Sequence, residues 1–180
     1  AHNGNLTNTG DLAEIVQKLE GDSVKNGHGA TTDTELMTAL IGLQDEKNVE
    51  ASAIAVLPKL EGAFSLVFMD EKTLYAARDR HGVRPLVIGK LERGWVVASE
   101  TAALDIVGAA FVREVEPGEF LAINEDGIRS QMWATPDPKG CLFEYVYLAR
   151  PDTTIAGQGV HATRVRIGKR LAIEAPVEAD

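Results

Sequence analysis

The chain has 180 residues, 44% of them hydrophobic, which is enough for the core of one domain and the start of a second. Its formal net charge of −9 argues against a surface for nucleic acids or anionic membranes, because such a surface needs a clustered basic face. No stretch approaches the roughly 18 consecutive apolar residues of a membrane span. The single cysteine, Cys141, excludes an internal disulfide, so we expect a cytoplasmic protein.

The first predicted element is a helix near the start of the chain. Apolar residues recur at helical spacing from Leu12 to Leu19, and Asp11 and Glu14 have the spacing of a capping box. Residues 21–31 contain three glycines, an asparagine and a serine, a composition that is typical of a loop.

Two further helices are predicted after this loop. The second is expected at residues 33–46, where Thr32 and Glu35 again have capping-box spacing. The third is rich in alanine and is expected at residues 49–57. The first third of the chain is therefore predicted to be mostly helical.

Strand-like patterns replace the helical period in the middle third. Three hairpins are predicted, the last of them around Asp126 and Gly127, which form a strong turn dipeptide. Their strand pairs are 63–69 with 73–77, 86–91 with 95–99, and 120–124 with 128–132. With a short helix at 101–107, adjacent hairpins flanked by helices predict an α+β fold with antiparallel sheets.

Residues 135–140 are the best candidate for a linker between domains. They contain two prolines and a glycine, which disfavour both helix and strand. Beyond them, an aromatic strand is predicted at 142–148, a turn at 150–152 and a final helix at 160–174. We therefore place a domain boundary at this linker.

The opening tetrapeptide, His2-Asn3-Gly4-Asn5, has two interpretations from its residues alone. Most such tetrapeptides are plain turns in loops. A glycine, however, lets its backbone N–H approach a substrate closely, and a neighbouring asparagine side chain supplies a second donor. Two donors aimed at one point form an oxyanion hole for acyl transfer, which is the rarer outcome.

Two segments resemble the class II glutamine amidotransferases, which are of the N-terminal-nucleophile (Ntn) type. One is residues 1–12 with the HNGN run, and the other is the TTDTE run at 31–35, in which a threonine replaces the usual serine. The resemblance implies that Asn3 and Gly4 form the oxyanion hole and that Asp33 binds the α-amino group of glutamine. The alternative for Asp33 is structural, because an acid in the first turn of a helix complements the helix dipole.

Residues 78–86, RDRHGVRPL, match the RDxxGxRPL segment shared by these amidotransferases. Asp79 and Gly82 are expected to shape the turn rather than to act in catalysis. His81 could serve as a base, but it occupies a variable position of the motif, so we expect an exposed turn histidine.

The stretch that distinguishes one acceptor class from another is residues 141–152, CLFEYVYLARPD. It resembles the segment that opens the second half of the amidophosphoribosyltransferase family, and residues 159–180 continue the resemblance. The family implies an incomplete Ntn-hydrolase-type αββα sandwich in residues 1–138, a glutamine amidotransferase type 2 domain. The first elements of an α/β phosphoribosyltransferase domain would then follow in residues 139–180.

The reaction implied by this resemblance transfers ammonia from glutamine to 5-phosphoribosyl pyrophosphate (PRPP). The product is 5-phosphoribosylamine, in the first committed step of de novo purine synthesis. Mg²⁺ would accompany PRPP at a site outside this chain, and the full enzyme is expected to be a homo-oligomer.

Three residues near the predicted boundary have roles implied by the family. Phe143 and Tyr147 match positions that line an ammonia channel, and alternation along a strand would place both on one face. They could equally be core aromatics. Cys141 matches a [4Fe–4S] ligand of some members, although others keep a cysteine there without a cluster.

Other parts of such an enzyme are expected to lie outside this chain. The nucleophilic cysteine at the family's mature N-terminus is absent between Ala1 and Asp180, and so is the acidic PRPP loop. We therefore expect an internal fragment that is inactive by itself.

The main alternative is a non-catalytic binding or regulatory module of Ntn-like fold, which would also lack the cysteine. A Cys-Gly start upstream in the gene would decide against the module. Glucosamine-phosphate synthase is disfavoured, because that family continues into sugar-isomerase repeats rather than FEYVYxARPD.

Overall fold

The computed structural model describes residues 1–20 and 32–178, so the loop predicted at 21–31 lies outside the described residues. The chain divides into two compact units, which are described separately. The first consists of Ala1–Arg84 and Glu116–Lys139, and the second of Pro85–Val115 and Gly140–Asp180.

Helices and antiparallel strands make up the regular structure. The helices are α1 (Thr9–Glu20), α2 (Asp33–Gly42), α3 (Val49–Val56), α4 (Thr101–Ile106) and α5 (Val160–Glu174). The strands are β1 (His2–Leu6), β2 (Gly62–Met69), β3 (Leu74–Arg78), β4 (Val87–Leu91), β5 (Gly94–Ala98), β6 (Ala110–Glu114), β7 (Glu119–Asn124), β8 (Gly127–Met132), β9 (Thr154–Ile155) and β10 (Gln158–Gly159). The strand pairs are antiparallel, which confirms the α+β class.

The first unit is built on a five-stranded sheet in the order β1-β2-β3-β7-β8. Because side chains alternate along a strand, Phe64, Tyr75 and Phe120 project from the same face of this sheet. They pack with buried apolar residues of α1, α2 and α3. The rings of Tyr75 and Phe120 stack with their centroids 5.7 Å apart. The core of this unit therefore lies between the sheet and three helices.

Helix α2 begins at the residue that the sequence predicts. The hydroxyl of Thr32 accepts from the N–H of Glu35 at 3.3 Å, and the Glu35 carboxylate accepts from the N–H of Thr32 at 3.1 Å. This confirms the capping box. The helix ends at Gly42 rather than at residue 46, because the Gln44 side chain turns back and donates to the carbonyl of Leu40 at 3.0 Å.

Helix α1 begins two residues before Asp11, so the capping box predicted at Asp11 and Glu14 is wrong. The residue that precedes the helix is Asn8, whose side chain has long-range partners. It donates to the carbonyl of Lys59 at 2.9 Å and accepts from the N–H of Glu61 at 3.1 Å. Tertiary contacts therefore set the start of this helix.

The predicted hairpins are confirmed as β2–β3, β4–β5 and β7–β8, and the third predicted helix is confirmed as α3. The structure adds four strands that the sequence did not predict, β1, β6 and the short pair β9 and β10. From its residues alone, the HNGN run of β1 is typical of a turn. It is a strand because it pairs with β2, which lies far along the chain.

The second unit contains a three-stranded sheet in the order β5-β4-β6. Val87, Leu104 and Ala109 form its small core. The carboxylate of Glu100 fixes the turn that was predicted at 150–152. It accepts from the N–H of Arg150 at 3.0 Å and from the hydroxyl of buried Thr153 at 2.6 Å.

The strand predicted at 142–148 is wrong, because this segment forms a helical turn with π geometry at Glu144–Leu148. The N–H of Ala149 donates to the carbonyl of Glu144 at 3.0 Å. The guanidinium of Arg164, on α5, donates to the carbonyls of Tyr145 at 2.6 Å and Ala149 at 2.8 Å. One side chain thus satisfies carbonyls that the end of a helical turn leaves open. Helix α5 itself has the predicted bounds.

Residues 135–140 have no regular secondary structure, as predicted for a linker. The two compact units differ from the two domains predicted from the sequence. The predicted first domain contains Pro85–Val115, whereas in the structure these residues belong to the second unit. Strands β4, β5 and β6 form a sheet of their own, which explains the difference. The assignment of residues 1–138 and 139–180 to separate domains stays a prediction.

Helix α5 carries an exposed apolar surface. Val165, Ile167 and Leu171 are all exposed, whereas Val160 at the start of the helix is buried.

Within residues 1–20 and 32–178, no helix combines the length and the apolar character that a membrane crossing requires.

Replacing Thr32 by alanine should lower the free energy of unfolding by about 1 kcal/mol, because the first turn of α2 loses its capping acceptor. Thr38→Ala is the matched control, since its hydroxyl donates to the carbonyl of Thr34 at an exposed position of the same helix. This variant should change the free energy by less than about 0.5 kcal/mol. Urea denaturation measures both values, and equal losses would show that the capping box does not stabilise the helix.

Candidate functional site

Strand β1, at the edge of the five-stranded sheet, contains Asn3 and Gly4, the two residues predicted to form an oxyanion hole. Gly4 lies opposite Phe64 in the pairing of β1 with β2. The main-chain N–H and carbonyl of Phe64 both bond to Asp79, on the side of β2 that faces away from β1. Its N–H donates to the Asp79 carboxylate at 3.1 Å, and its carbonyl accepts from the Asp79 N–H at 2.9 Å. Because opposite residues in antiparallel strands alternate between bonded and non-bonded pairs, the N–H of Gly4 points away from β2.

The same alternation applies two residues further along β1. The N–H of Leu6 also points away from β2, and it donates to Oδ2 of Asp33 at 2.7 Å. Two residues of a strand span about 7 Å, so the N–H of Gly4 lies within about 10 Å of the Asp33 carboxylate. The structure thus brings Gly4 and Asp33 to one edge of the sheet, at a separation that a glutamine-sized ligand can span.

Asp33 is fixed in place by both of its neighbouring elements. It is the first residue of α2, where the helix dipole favours a carboxylate. Its bond to Leu6 ties α2 to β1. A carboxylate has about four acceptor positions on its two oxygens, so this bond leaves capacity for a cationic group. The structural explanation and the binding explanation are therefore compatible.

Asn3 is held by Arg84, an arginine for which the sequence predicts no role. Nε and Nη2 of Arg84 donate to Oδ1 of Asn3 at 2.9 and 2.8 Å. An arginine can only donate, so the atom it contacts is the amide oxygen, and the amide nitrogen is directed elsewhere. The signal that could have revealed Arg84 is its place in the RDxxGxRPL run.

The turn after β3 is shaped by Asp79 and Gly82, as predicted. Oδ1 of Asp79 accepts from the N–H of His81 at 2.8 Å, and its carbonyl accepts from the N–H of Gly82 at 3.0 Å. Gly82 has φ +59, and a Cβ there would lie 2.8 Å from the Pro117 ring, so glycine is required. The partly exposed His81 ring places Nδ1 2.8 Å from the carbonyl oxygen of Asp137, in the linker.

His2 lies on the same strand as the two predicted oxyanion donors. Burial lowers the pKa of its imidazole, and the negative charge of Asp33 offsets part of this effect. Its Nε2 atom is buried and has no hydrogen-bond partner among the residues that the structure describes. A neutral ring is therefore favoured at this position.

The predicted channel residues, Phe143 and Tyr147, lie in the second unit. The segment that contains them is a helical turn and not the predicted strand. Residues four positions apart in a helical turn also lie on the same side. The two side chains are 65% and 77% exposed, so neither belongs to the core of the described residues. Their role in a channel stays a prediction.

Cys141 is partly exposed and is the chain's single cysteine. A [4Fe–4S] cluster needs four ligands of this kind, so a complete cluster does not fit this chain. Among the described residues, no three His, Cys, Asp or Glu side chains are placed to hold a metal ion together. Cys141 as one ligand of a cluster stays a prediction.

The chain is similar to known proteins over most or all of its length. Residues 1–106 match the model of a family described as glutamine amidotransferase domain. Over 99% of its length, the chain is 59% identical to an amidophosphoribosyltransferase of Mycobacterium leprae, of which it covers 32%. Over its whole length, it is 41% identical to the chloroplastic amidophosphoribosyltransferase 2 of Arabidopsis thaliana, again covering 32%. The chain spans about a third of the length of these curated relatives.

A solved structure has the same fold. It is the glutamine PRPP amidotransferase from B. subtilis, complexed with ADP and GMP. The TM-score is 0.90 at 39% sequence identity, and the match covers 100% of this chain and 39% of that chain. This likeness supports the antiparallel sheets and helices described above as the fold of such an enzyme.

Gly4→Ala should lower the free energy of unfolding by about 2–4 kcal/mol, through backbone strain and overpacking. Gly4 has φ +146, and a Cβ would lie 2.0 Å from the carbonyl oxygen of Ala63. Gly10→Ala is the matched control, because this glycine lies in α1 with no neighbouring atom within 4 Å. It should stabilise the protein by about 0.5–1 kcal/mol. Guanidinium denaturation tests both values, and a Gly4→Ala protein of unchanged stability would contradict the close approach of β1 to β2.

Protonation of His2 should destabilise the fold as the pH falls below about 6.5. Its pKa is lowered in the folded state, so the unfolded chain binds more protons in this range, and acid favours unfolding. Above this range the ring is neutral in both states. His2→Gln should therefore flatten the dependence of the unfolding free energy on pH below about 6.5, the ordinary pKa of histidine. His161→Gln, at an exposed position, controls for the loss of a histidine. Equal flattening by both variants would argue against His2 as the source.

Proposed function

Because the chain belongs to the glutamine amidotransferase domain family, we propose that it contributes the glutamine site of an amidophosphoribosyltransferase. Such an enzyme transfers ammonia from glutamine to PRPP and gives 5-phosphoribosylamine, the first committed step of purine synthesis. The 59% identity to a relative of that name, over 99% of the chain, supports this acceptor. The matched region includes the CLFEYVYLARPD run at 141–152, which resembles the segment that opens the second half of that family.

The observation that carries the proposal is the common direction of two N–H groups on β1. The N–H of Gly4 points outward beside Asn3, and the N–H of Leu6 points outward to the Asp33 carboxylate. A donor for a developing oxyanion and an anion for an ammonium group thus lie about 7–10 Å apart on one strand edge. This spacing suits glutamine, whose carboxamide and α-ammonium groups stand at opposite ends of a short chain.

In the proposed reaction, a nucleophile attacks the carboxamide carbon of glutamine. The π electrons of the C=O bond move to oxygen, and the N–H of Gly4 and the amide N–H of Asn3 stabilise the negative charge. Collapse of this intermediate expels ammonia once its nitrogen has gained a proton, and water then releases glutamate from the acyl group. Because Gly4 is part of a paired strand, its N–H is already oriented before the charge develops.

Asp33 would position the other end of the substrate. Its carboxylate is oriented by Leu6, and it lies at the start of α2. An ion pair with the α-ammonium group is made equally in the ground state and in the transition state. Asp33 would therefore act mainly on substrate binding and little on the chemical step.

Phe143 and Tyr147 would line part of the path that ammonia follows to PRPP. Both side chains are exposed and lie on the same side of the helical turn, so they can form a wall of a passage completed by other parts of the enzyme. An apolar wall would keep ammonia neutral and nucleophilic, because water would protonate it. The Mg²⁺ and PRPP sites would lie outside this chain, and the full enzyme would form a homo-oligomer.

Asp33→Asn in the full-length protein should raise the KM for glutamine by about 10–100-fold and leave kcat within about threefold, because it removes uniform binding. Asparagine keeps an oxygen that can accept from Leu6, so the strand edge is preserved. Asp11→Asn, on the exposed side of α1, is the matched control. Glutamate release measures the glutamine reaction, and PRPP-dependent activity with free ammonia should be unchanged in both variants. An unaltered KM in Asp33→Asn would contradict the proposed role.

A further inference from the structure

We propose that Arg84 is a positioning residue, which orients the amide of Asn3 so that its nitrogen, and not its oxygen, faces the reacting carboxamide. This inference rests on the proposed function of the β1 edge. In the proposed role, Arg84 acts on the substrate through Asn3. The proposal is based on two hydrogen bonds, in which Nε and Nη2 of Arg84 donate to Oδ1 of Asn3 at 2.9 and 2.8 Å.

The two ends of an asparagine amide have opposite effects on an oxyanion. The nitrogen donates and stabilises the negative charge, whereas the oxygen carries a partial negative charge and repels it. An amide without a fixed partner can rotate by half a turn and exchange the two ends. A guanidinium donates only, so two bonds from it to the oxygen fix which end is presented.

Arg84 is itself rigidly held, which allows it to act as a template. Its main-chain carbonyl accepts from Nε of Arg78 at 2.8 Å and from the hydroxyl of Ser65 at 3.2 Å. Arg78 and Ser65 are both buried, and Nη2 of Arg78 also donates to the carbonyl of Gly82 at 2.9 Å. The turn from Asp79 to Arg84 is therefore pinned to β2 and β3, and the guanidinium starts from a fixed point.

A second effect of Arg84 is electronic. A cation bound to the amide oxygen draws electron density from the nitrogen, so the Asn3 N–H becomes a stronger donor. The positive charge also lies one amide group away from the site where negative charge develops. Both effects act in the transition state more than in the ground state, so they predict a change in kcat rather than in KM.

The first test is kinetic and uses the full-length protein with glutamine. Arg84→Met should lower kcat for glutamate release by about 10–100-fold and leave KM within about threefold, somewhat less than the effect expected for direct loss of an oxyanion donor in Asn3→Ala. Arg84→Lys keeps the positive charge and can donate from its single nitrogen to Oδ1 of Asn3, so this variant should recover part of the lost kcat. Arg80→Met removes an exposed arginine of the same run and should have no effect.

The decisive comparison is the double variant. If Arg84 acts through Asn3, Arg84→Met should cost little more in a protein that already carries Asn3→Ala, so the two effects will not multiply. Multiplied losses, or a normal kcat in Arg84→Met, would overturn the proposal. PRPP-dependent activity with free ammonia, unchanged in all variants, would show that the fold is intact.

A spectroscopic test does not depend on activity. In full-length protein labelled with ¹⁵N at asparagine, the Asn3 side-chain amide is identified by its loss in Asn3→Asp. Arg84→Met should shift this signal toward that of a solvent-exposed amide, whereas Arg80→Met should leave it in place. An unmoved signal in Arg84→Met would overturn the inference even if glutamine hydrolysis is observed. A wild-type protein that does not hydrolyse glutamine would overturn the proposed function, and the amide signal would then still decide whether Arg84 orients Asn3.

Discussion

The paired hydrogen bonds between Phe64 and Asp79 set the geometry on which the candidate site depends. They commit both main-chain groups of Phe64 to one side of β2, so β1 pairs with β2 through the alternate residues. Gly4 and Leu6 consequently turn their N–H groups toward the outer edge. Asp79 is almost fully buried, and its second carboxylate oxygen accepts from the N–H of His81. The same residue therefore also fixes the turn that leads to Arg84.

An outward row of N–H groups at a sheet edge ordinarily invites pairing with another strand. On β1 the Asp33 carboxylate accepts from the N–H of Leu6, whereas the N–H of Gly4 points outward. For the proposed reaction this arrangement separates two charges. The anion that attracts the ammonium group of glutamine lies two residues away from the donor that receives the oxyanion. Asp33 can thus hold the substrate without lying against the charge that develops at its other end.

The second unit shows how charged side chains replace regular backbone partners. Glu100 accepts from Arg150 and Thr153, and Glu114 accepts from the N–H of Ala156 at 2.6 Å. Arg164 donates to the carbonyls at the end of the helical turn. These contacts hold residues 149–156 in a defined conformation with little regular structure. The aromatic side chains of the preceding turn, Phe143 and Tyr147, are exposed.

Features whose signals lie within a few residues can be predicted from the amino-acid sequence alone. These include the capping box of α2, the three hairpins with short turns, the bounds of α5 and the shape of the turn at Asp79 and Gly82. The sequence also indicated Asn3, Gly4 and Asp33 as a site, through the resemblance of their motifs to a family. Three features become visible only in the folded chain: HNGN is an edge strand, 142–148 contains a helical turn, and Arg84 holds Asn3 from 81 positions away. The physical reason is that caps and turns are stabilised by neighbours in the chain. An edge strand, a π turn and a long-range amide contact are instead stabilised by distant partners, which local propensity does not identify.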